Sequence, residues 1–171
     1  KVLKESTPLK AGEILDATFM SKPFAEQSGS GLHIHASLID AAGRNVFDET
    51  TPDGDRMLGH AIAGLQATTY DAMGFFAPNI NAYRRFAANQ FVPVNTSWGI
   101  NNRSVSFRVP MGGGRARRIE HRIAGADANP YLVMAAMLAG LVTSMVWAWA
   151  PSWWAAASTA ARSRSQRLMR W

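Results

Sequence analysis

The 171-residue chain has no cysteine, which excludes disulfides, thiolate metal sites and a cysteine nucleophile. Other signatures are missing too. Gly112-Gly113-Gly114 lacks the Lys-Ser/Thr that completes a phosphate loop. Gly29-Ser30-Gly31 has the wrong spacing for a nucleophile elbow, and no His-Glu-x-x-His zinc pattern occurs. Outside the last thirty residues, basic side chains are not interleaved with aromatics as single-strand binders require, so no nucleic-acid partner is expected. The start, Lys1-Val2-Leu3-Lys4-Glu5, has no apolar signal segment and no initiator Met, and reads as cut from something longer. At 47% hydrophobic and 18% charged, the composition is that of a folded domain and not of a disordered segment.

Lysine is absent from residues 84–122, yet this is the most basic stretch. It holds eight arginines (84, 85, 103, 108, 115, 117, 118, 122) against Glu120 alone. Residues 1–83 are net acidic, and the whole chain carries +6. Arginine offers a planar, permanently charged fork suited to carboxylate and phosphate. The segment is either a solvated basic face or the seat of an anionic partner.

Periodicity outlines the elements. Residues 1–16 are helix-capable and Ala17–Met20 reads as a short strand. In 31–38, Leu32, Ile34, Ala36 and Leu38 alternate with His33, His35 and Ser37, a half-buried strand. Residues 51–74 predict a helix with Thr51 as cap, Pro52 in the first position and a stripe of Leu58, Ala61, Ile62, Leu65, Thr69 and Ala72. Residues 75–101 read as an irregular connection. Val105, Phe107 and Val109 form one strand face against Ser104, Ser106 and Arg108. Arg118, Glu120 and Arg122 form the polar face of another strand. Asn129-Pro130 starts an apolar helix ending near Leu141. Residues 131–161 carry no charge, and 131–150 reach the length of a membrane span, but Gly140, Thr143, Ser144 and Pro151 favour a buried helix. Five of six tryptophans fall in 147–171, so 142–171 reads as a divergent tail, out of frame or disordered, beside a domain over 1–141.

Two clusters carry chemistry. His33, His35 and Ser37 share a face able to ligate a cation or hydrogen-bond phosphate. Arg118-x-Glu120-x-Arg122 is either an ion-pair row or a place for a hard cation beside phosphates, whose charge arginine neutralises.

Taken together, collinear segments over roughly 17–141 resemble the catalytic domain of the glutamine synthetase family. They are Ala17–Phe24, Ser28–Leu38, Asn81–Phe86, Pro93–Asn95, Asn102–Ser104, Phe107–Pro110, Ala116–Arg122 and Ala128–Leu132. The resemblance implies an α+β fold, an antiparallel sheet with packed helices like that of guanido kinases. It implies an ATP-dependent ligase: ATP phosphorylates the glutamate side-chain carboxylate, and an amine or ammonia displaces phosphate. By motif, His33 and Glu120 correspond to ligands of Mg²⁺ or Mn²⁺. His35 and Ser37 correspond to nucleotide contacts, and Gly29 to a backbone position beside glutamate. Arg85 and Arg122 correspond to anchors of the glutamate carboxylate and acyl phosphate. Arg103, Arg108, Arg115 and Arg118 correspond to phosphate contacts, Arg103 and Arg122 taking part in catalysis. A cytoplasmic location and a homo-oligomeric ring are also implied.

The departures are informative. Ammonia-using members carry a glutamate two positions before the loop proline; here Phe91 stands there, and an aromatic takes no proton. This is similar to the γ-glutamyl-amine ligases, which couple glutamate to amines or polyamines. Ser28 replaces a common Asn, and Arg115 a common Lys. Ligand glutamates of the family fall outside the matched text, so the chain is expected to be inactive alone; an inactive remnant and an ammonia-using glutamine synthetase are the alternatives.

Overall fold

A computed structural model describes residues 18–88 and 90–149; the expected helix at 1–16 and most of the divergent tail lie outside them. Four three-residue strands form one sheet: β1 (Ile34–Ala36), β2 (Trp98–Ile100), β3 (Phe107–Val109) and β4 (Ile119–His121), in the order β1-β4-β3-β2. β4 runs antiparallel to both β1 and β3, while β2 lies parallel to β3. The α+β reading holds, with a mixed sheet in place of an antiparallel one.

Helix α1 (Gly54–Thr68) buries Met57, Leu58, Ala61, Ile62 and Leu65. The stripe is the predicted one, but the helix is shorter. Thr51 donates its hydroxyl to the Asp48 carbonyl and does not cap α1. After a turn come α2 (Met73–Phe76) and α3 (Ile80–Tyr83), the latter capped by Asn79, which accepts from the Ala82 amide. Helix α4 (Pro130–Trp149) passes beyond Leu141: no charge or proline interrupts it before Pro151. Among the described residues no helix is long and apolar enough to cross a membrane.

Helices α1 and α4 cover one side of the sheet. They approach closely because Gly64 faces the Gly140 carbonyl and Gly140 faces Thr68; a Cβ on Gly140 would lie 2.7 Å from Thr68 Oγ1. Val133, Met137 and Leu141 of α4 join Ile62, Leu65, Phe107 and Ile119 in the core. The alternation in 31–38 is realised: Leu32, Ile34, Ala36 and Leu38 pack on this core, and His33, His35 and Ser37 face away from it, exposed. Two further expectations fail. Thr18–Met20 form no strand, and Ser106 is buried, its hydroxyl donating to the Asn95 carbonyl.

Candidate active site

Register assembles the polar cluster. His35 pairs across the sheet with Glu120, and Glu120 with Arg108. Because side chains alternate along strands, Glu120 points away from the core between Ile119 and His121, which point into it. Glu120 is 4% exposed. Arg108 Nη1 donates to its Oε2 and Arg122 Nη1 to its Oε1, each at 2.7 Å. His33 Nδ1 lies 3.3 Å from Glu120 Oε1 and 3.4 Å from Arg122 Nη1. Burial alone pushes the Glu120 carboxyl up, but the Arg108 hydrogen bond and Arg122 charge hold it below the usual carboxylate range. Burial, then the Arg122 charge, lower the His33 imidazole, which favours its neutral, ligating form.

Arg122 also reaches outward. Its Nη2 donates to the carbonyls of Phe91 at 3.1 Å and Arg103 at 3.0 Å. Phe91 sits at φ 51°, the left-handed region that bulky residues rarely adopt. Arg103 lies in the turn between β2 and β3, off the strand, as its parity requires.

Arg85 is 2% exposed and turns into the protein. It donates to the carbonyls of Ala124 (2.6 Å), Ile123 (2.6 Å) and Arg122 (3.2 Å). Its path is possible because residues 29 and 31 are glycines: a Cβ on Gly29 would lie 2.6 Å from Arg85 Cγ, and one on Gly31 2.8 Å from Nη1. Burial lowers the Arg85 guanidinium to about 10. Both Nη groups are engaged with main chain, so Arg85 braces the end of β4 and presents no free fork to a carboxylate.

A cavity of about 480 Å³ collects these groups, lined by Gly29, His33, Arg85, Phe91, Arg103, Arg108, Glu120 and Arg122 among others. His35, Ser37, Arg115 and Arg118 stand outside it. Arg118 Nε donates to His35 Nδ1 at 3.1 Å, and Arg115 is exposed on the short 3₁₀ turn Gly114–Ala116. Three further residues brace the surroundings of the cavity. Asn101 accepts from Arg108 Nη2. Lys22 is buried and donates to the Gln27 carbonyl and to Gln90 Oε1, tying down the loop. The lone acid after Glu120, Asp127, accepts from Ser21 and Asn79.

His33 and Glu120 offer an imidazole nitrogen and a carboxylate to one cavity, donors that suit a divalent cation. Among the described residues no group of three or more His, Cys, Asp or Glu could hold a metal, and both Glu120 oxygens are shared with guanidinium groups. The pair by itself offers two of the donors that a divalent cation would need. The cavity favours anions more directly: Arg103, Arg108 and Arg122 line it against one glutamate, and the buried Nε atoms of Arg108 and Arg122 lack an acceptor.

The glutamine synthetase catalytic domain model matches residues 9–152. Gamma-glutamylputrescine synthetase PuuA of Escherichia coli is 46% identical over 128 residues, covering 75% of this chain and 27% of that protein. Glutamate–isopropylamine ligase of Pseudomonas sp is 46% identical over 130 residues, covering 74% and 28%. Gamma-glutamylethanolamide synthetase GlnA4 of Streptomyces coelicolor is 40% identical over 131 residues, covering 77% and 28%. The chain thus spans about a quarter of the length of the curated relatives it matches.

Proposed function

The chain belongs to the glutamine synthetase catalytic-domain family, and from that premise we propose that the protein carrying it is an ATP-dependent ligase joining the glutamate γ-carboxylate to an amine. The observation that carries this is the Arg108–Glu120–Arg122 cluster with His33, at the floor of an arginine-lined cavity.

The carboxylate oxygen of glutamate takes the terminal phosphoryl group of ATP, releasing ADP. The amine nitrogen then forms the C–N bond as the C–O bond to phosphate breaks, and the nitrogen gives up a proton. Both steps build negative charge on phosphoryl and acyl oxygens. Preorganised cations in a dry site stabilise such charge without reorganising. Arg108 and Arg122 are fixed by Glu120, and Arg103 lies at the rim, so this charge meets guanidinium groups already in place. His33 and Glu120 would hold Mg²⁺ or Mn²⁺, which when bound neutralises phosphate charge beside the glutamate carboxylate. Gly29, whose missing side chain makes room for Arg85, lines the cavity where we place glutamate. His35, Ser37 and Arg118 lie along the same face of the sheet, with Arg115 on the turn before β4, on the side we assign to the nucleotide. Arg85 acts by bracing β4 and not by touching the carboxylate.

An amine is favoured over ammonia by Phe91. The position offers no carboxylate to hold or deprotonate ammonium, so the nucleophile must arrive with some other means of binding. Relatives named for putrescine, isopropylamine and ethanolamide products bracket the class. ATP and glutamate are abundant in the cytoplasm, where we place the reaction. We also propose that the working enzyme is a homo-oligomeric ring, as membership of the family implies.

The test is ADP release by the natural protein with glutamate, ATP and Mg²⁺. Release should require an added primary amine and yield one γ-glutamyl amide per ADP. Glu120→Gln should lower the rate a hundredfold or more. Release that ignores both glutamate and amine would overturn the reading.

A further inference from the structure

Three consecutive apolar residues, Phe91, Val92 and Pro93, line the cavity together with Arg103, Arg108 and Arg122. We infer that Phe91, aimed by Arg122, sets specificity by reading the length of the incoming amine's carbon chain. This rests on the ligase reading above.

Three observations carry it. The Phe91 ring is 69% exposed, yet it lines the cavity, so its apolar surface is available to whatever enters. Its backbone is held at φ 51°. A non-glycine residue keeps such a conformation only where its surroundings fix it, and here the Arg122 Nη2 bond to the Phe91 carbonyl does so. Arg122 is itself fixed by Glu120 and by the Arg103 carbonyl. The ring position is thereby tied to the group that organises the anionic half of the site.

The polar groups beside Phe91 are already engaged. The Phe91 and Arg103 carbonyls accept from Arg122, both Glu120 oxygens accept from arginine, and Gln90 Oε1 accepts from Lys22. What this wall, the Phe91, Val92 and Pro93 side of the cavity, adds for an amine is carbon surface. Each buried methylene then adds binding, roughly fourfold by the usual transfer value. Phe91 is the specificity-determining residue, and Arg122, through its carbonyl bond, the positioning residue.

The experiment is a homologous series, from methylamine through ethyl-, propyl- and n-butylamine, with the natural protein, glutamate and ATP. We expect kcat/KM to rise by roughly two- to fourfold per methylene. In Phe91→Ala the slope should flatten, mostly through KM, and in Arg122→Lys it should flatten as the ring loses its anchor. Arg108→Lys should lower all rates but keep the slope. A flat series in the natural protein, or an unchanged slope in Phe91→Ala, overturns the inference. If no amine supports ADP release, the ligase reading fails separately, and saturation-transfer NMR still decides the wall. Transfer from the protein to n-butylamine alkyl protons that drops in Phe91→Ala supports it; equal transfer in both overturns it.

Discussion

Glu120 Oε1 and Arg122 Nη1 are 2.7 Å apart, two residues from each other on one strand and its extension, and both side chains are nearly fully buried. The pair is part of a triad, since Arg108 holds the other carboxylate oxygen. Removing one member of a buried ionic group costs more than the group contributes when whole, because the remaining charges lose their compensation. Glu120→Ala strands two guanidinium groups and is predicted to destabilise the chain by about 3 kcal/mol in urea unfolding. Glu120→Gln keeps the shape but an acceptor for only one arginine, turning an NH₂ donor on the other, and should cost nearly as much. A Glu120→Ala loss under about 1 kcal/mol would mean that solvent already screens the triad.

Arg85 makes a sharper case. Its three main-chain bonds brace the carbonyls of Arg122, Ile123 and Ala124, where the chain leaves β4 for α4. Lysine has no fork and cannot span three acceptors. Arg85→Lys and Arg85→Ala are both predicted to lower stability, by roughly 2–4 kcal/mol, through unsatisfied buried carbonyls. The check is chemical denaturation without any ligand. A substrate anchor would leave that measurement unchanged and alter only substrate affinity.

How much of this was legible follows from what each residue bonds to. His33, His35 and Ser37, and Glu120 with its flanking arginines, announce themselves by alternation, because a strand with one buried side forces a period of two. The α1 stripe is legible for the matching helical reason. Arg85 reads as a substrate anchor because its actual partners are backbone carbonyls, which leave no mark in the sequence. β2 escapes because it is three residues long with Gly99 at its centre, in a stretch rich in Asn and Pro. Its parallel pairing to β3 follows a six-residue link, far shorter than the usual crossover. The end of α4 is not legible because nothing but composition marks 142, and the helix continues through it.

His121 is the one core histidine among the described residues, fully buried between Phe76 and Phe107 at ring separations of 4.5 and 5.6 Å. Neither ring nitrogen has a partner. Burial, then the charges of His33 and Arg85, hold its proton affinity down to about 3, so the ring is neutral. A buried polar group without partners costs about 1–3 kcal/mol. Phenylalanine is similar in shape and removes that cost while adding some volume. His121→Phe is predicted to leave stability unchanged or raise it by about 1 kcal/mol, whereas His121→Ala should lose about 3 kcal/mol through the cavity it leaves. Thermal melts of the two variants separate the effects; a large loss in His121→Phe would reveal a partner for the ring.

The crossing of α1 and α4 depends on two residues that lack side chains. Gly64 abuts the Gly140 carbonyl and Ser144, and Gly140 abuts Thr68 and Leu65. Glycine normally costs a helix about 1 kcal/mol relative to alanine, so two of them facing each other at one contact reflect packing that outweighs propensity. At Gly64 a Cβ would meet backbone, which cannot swing away as a side-chain tip can. Gly64→Ala is therefore predicted to destabilise by about 2 kcal/mol, although alanine is the better helix former. Gly59, on the same helix with nothing near its Cβ position, is the control: Gly59→Ala should stabilise by about 0.5–1 kcal/mol. Opposite signs in matched unfolding curves would place the contact at the helix crossing, and equal gains in both variants would show that the helices stand further apart than the structure has them.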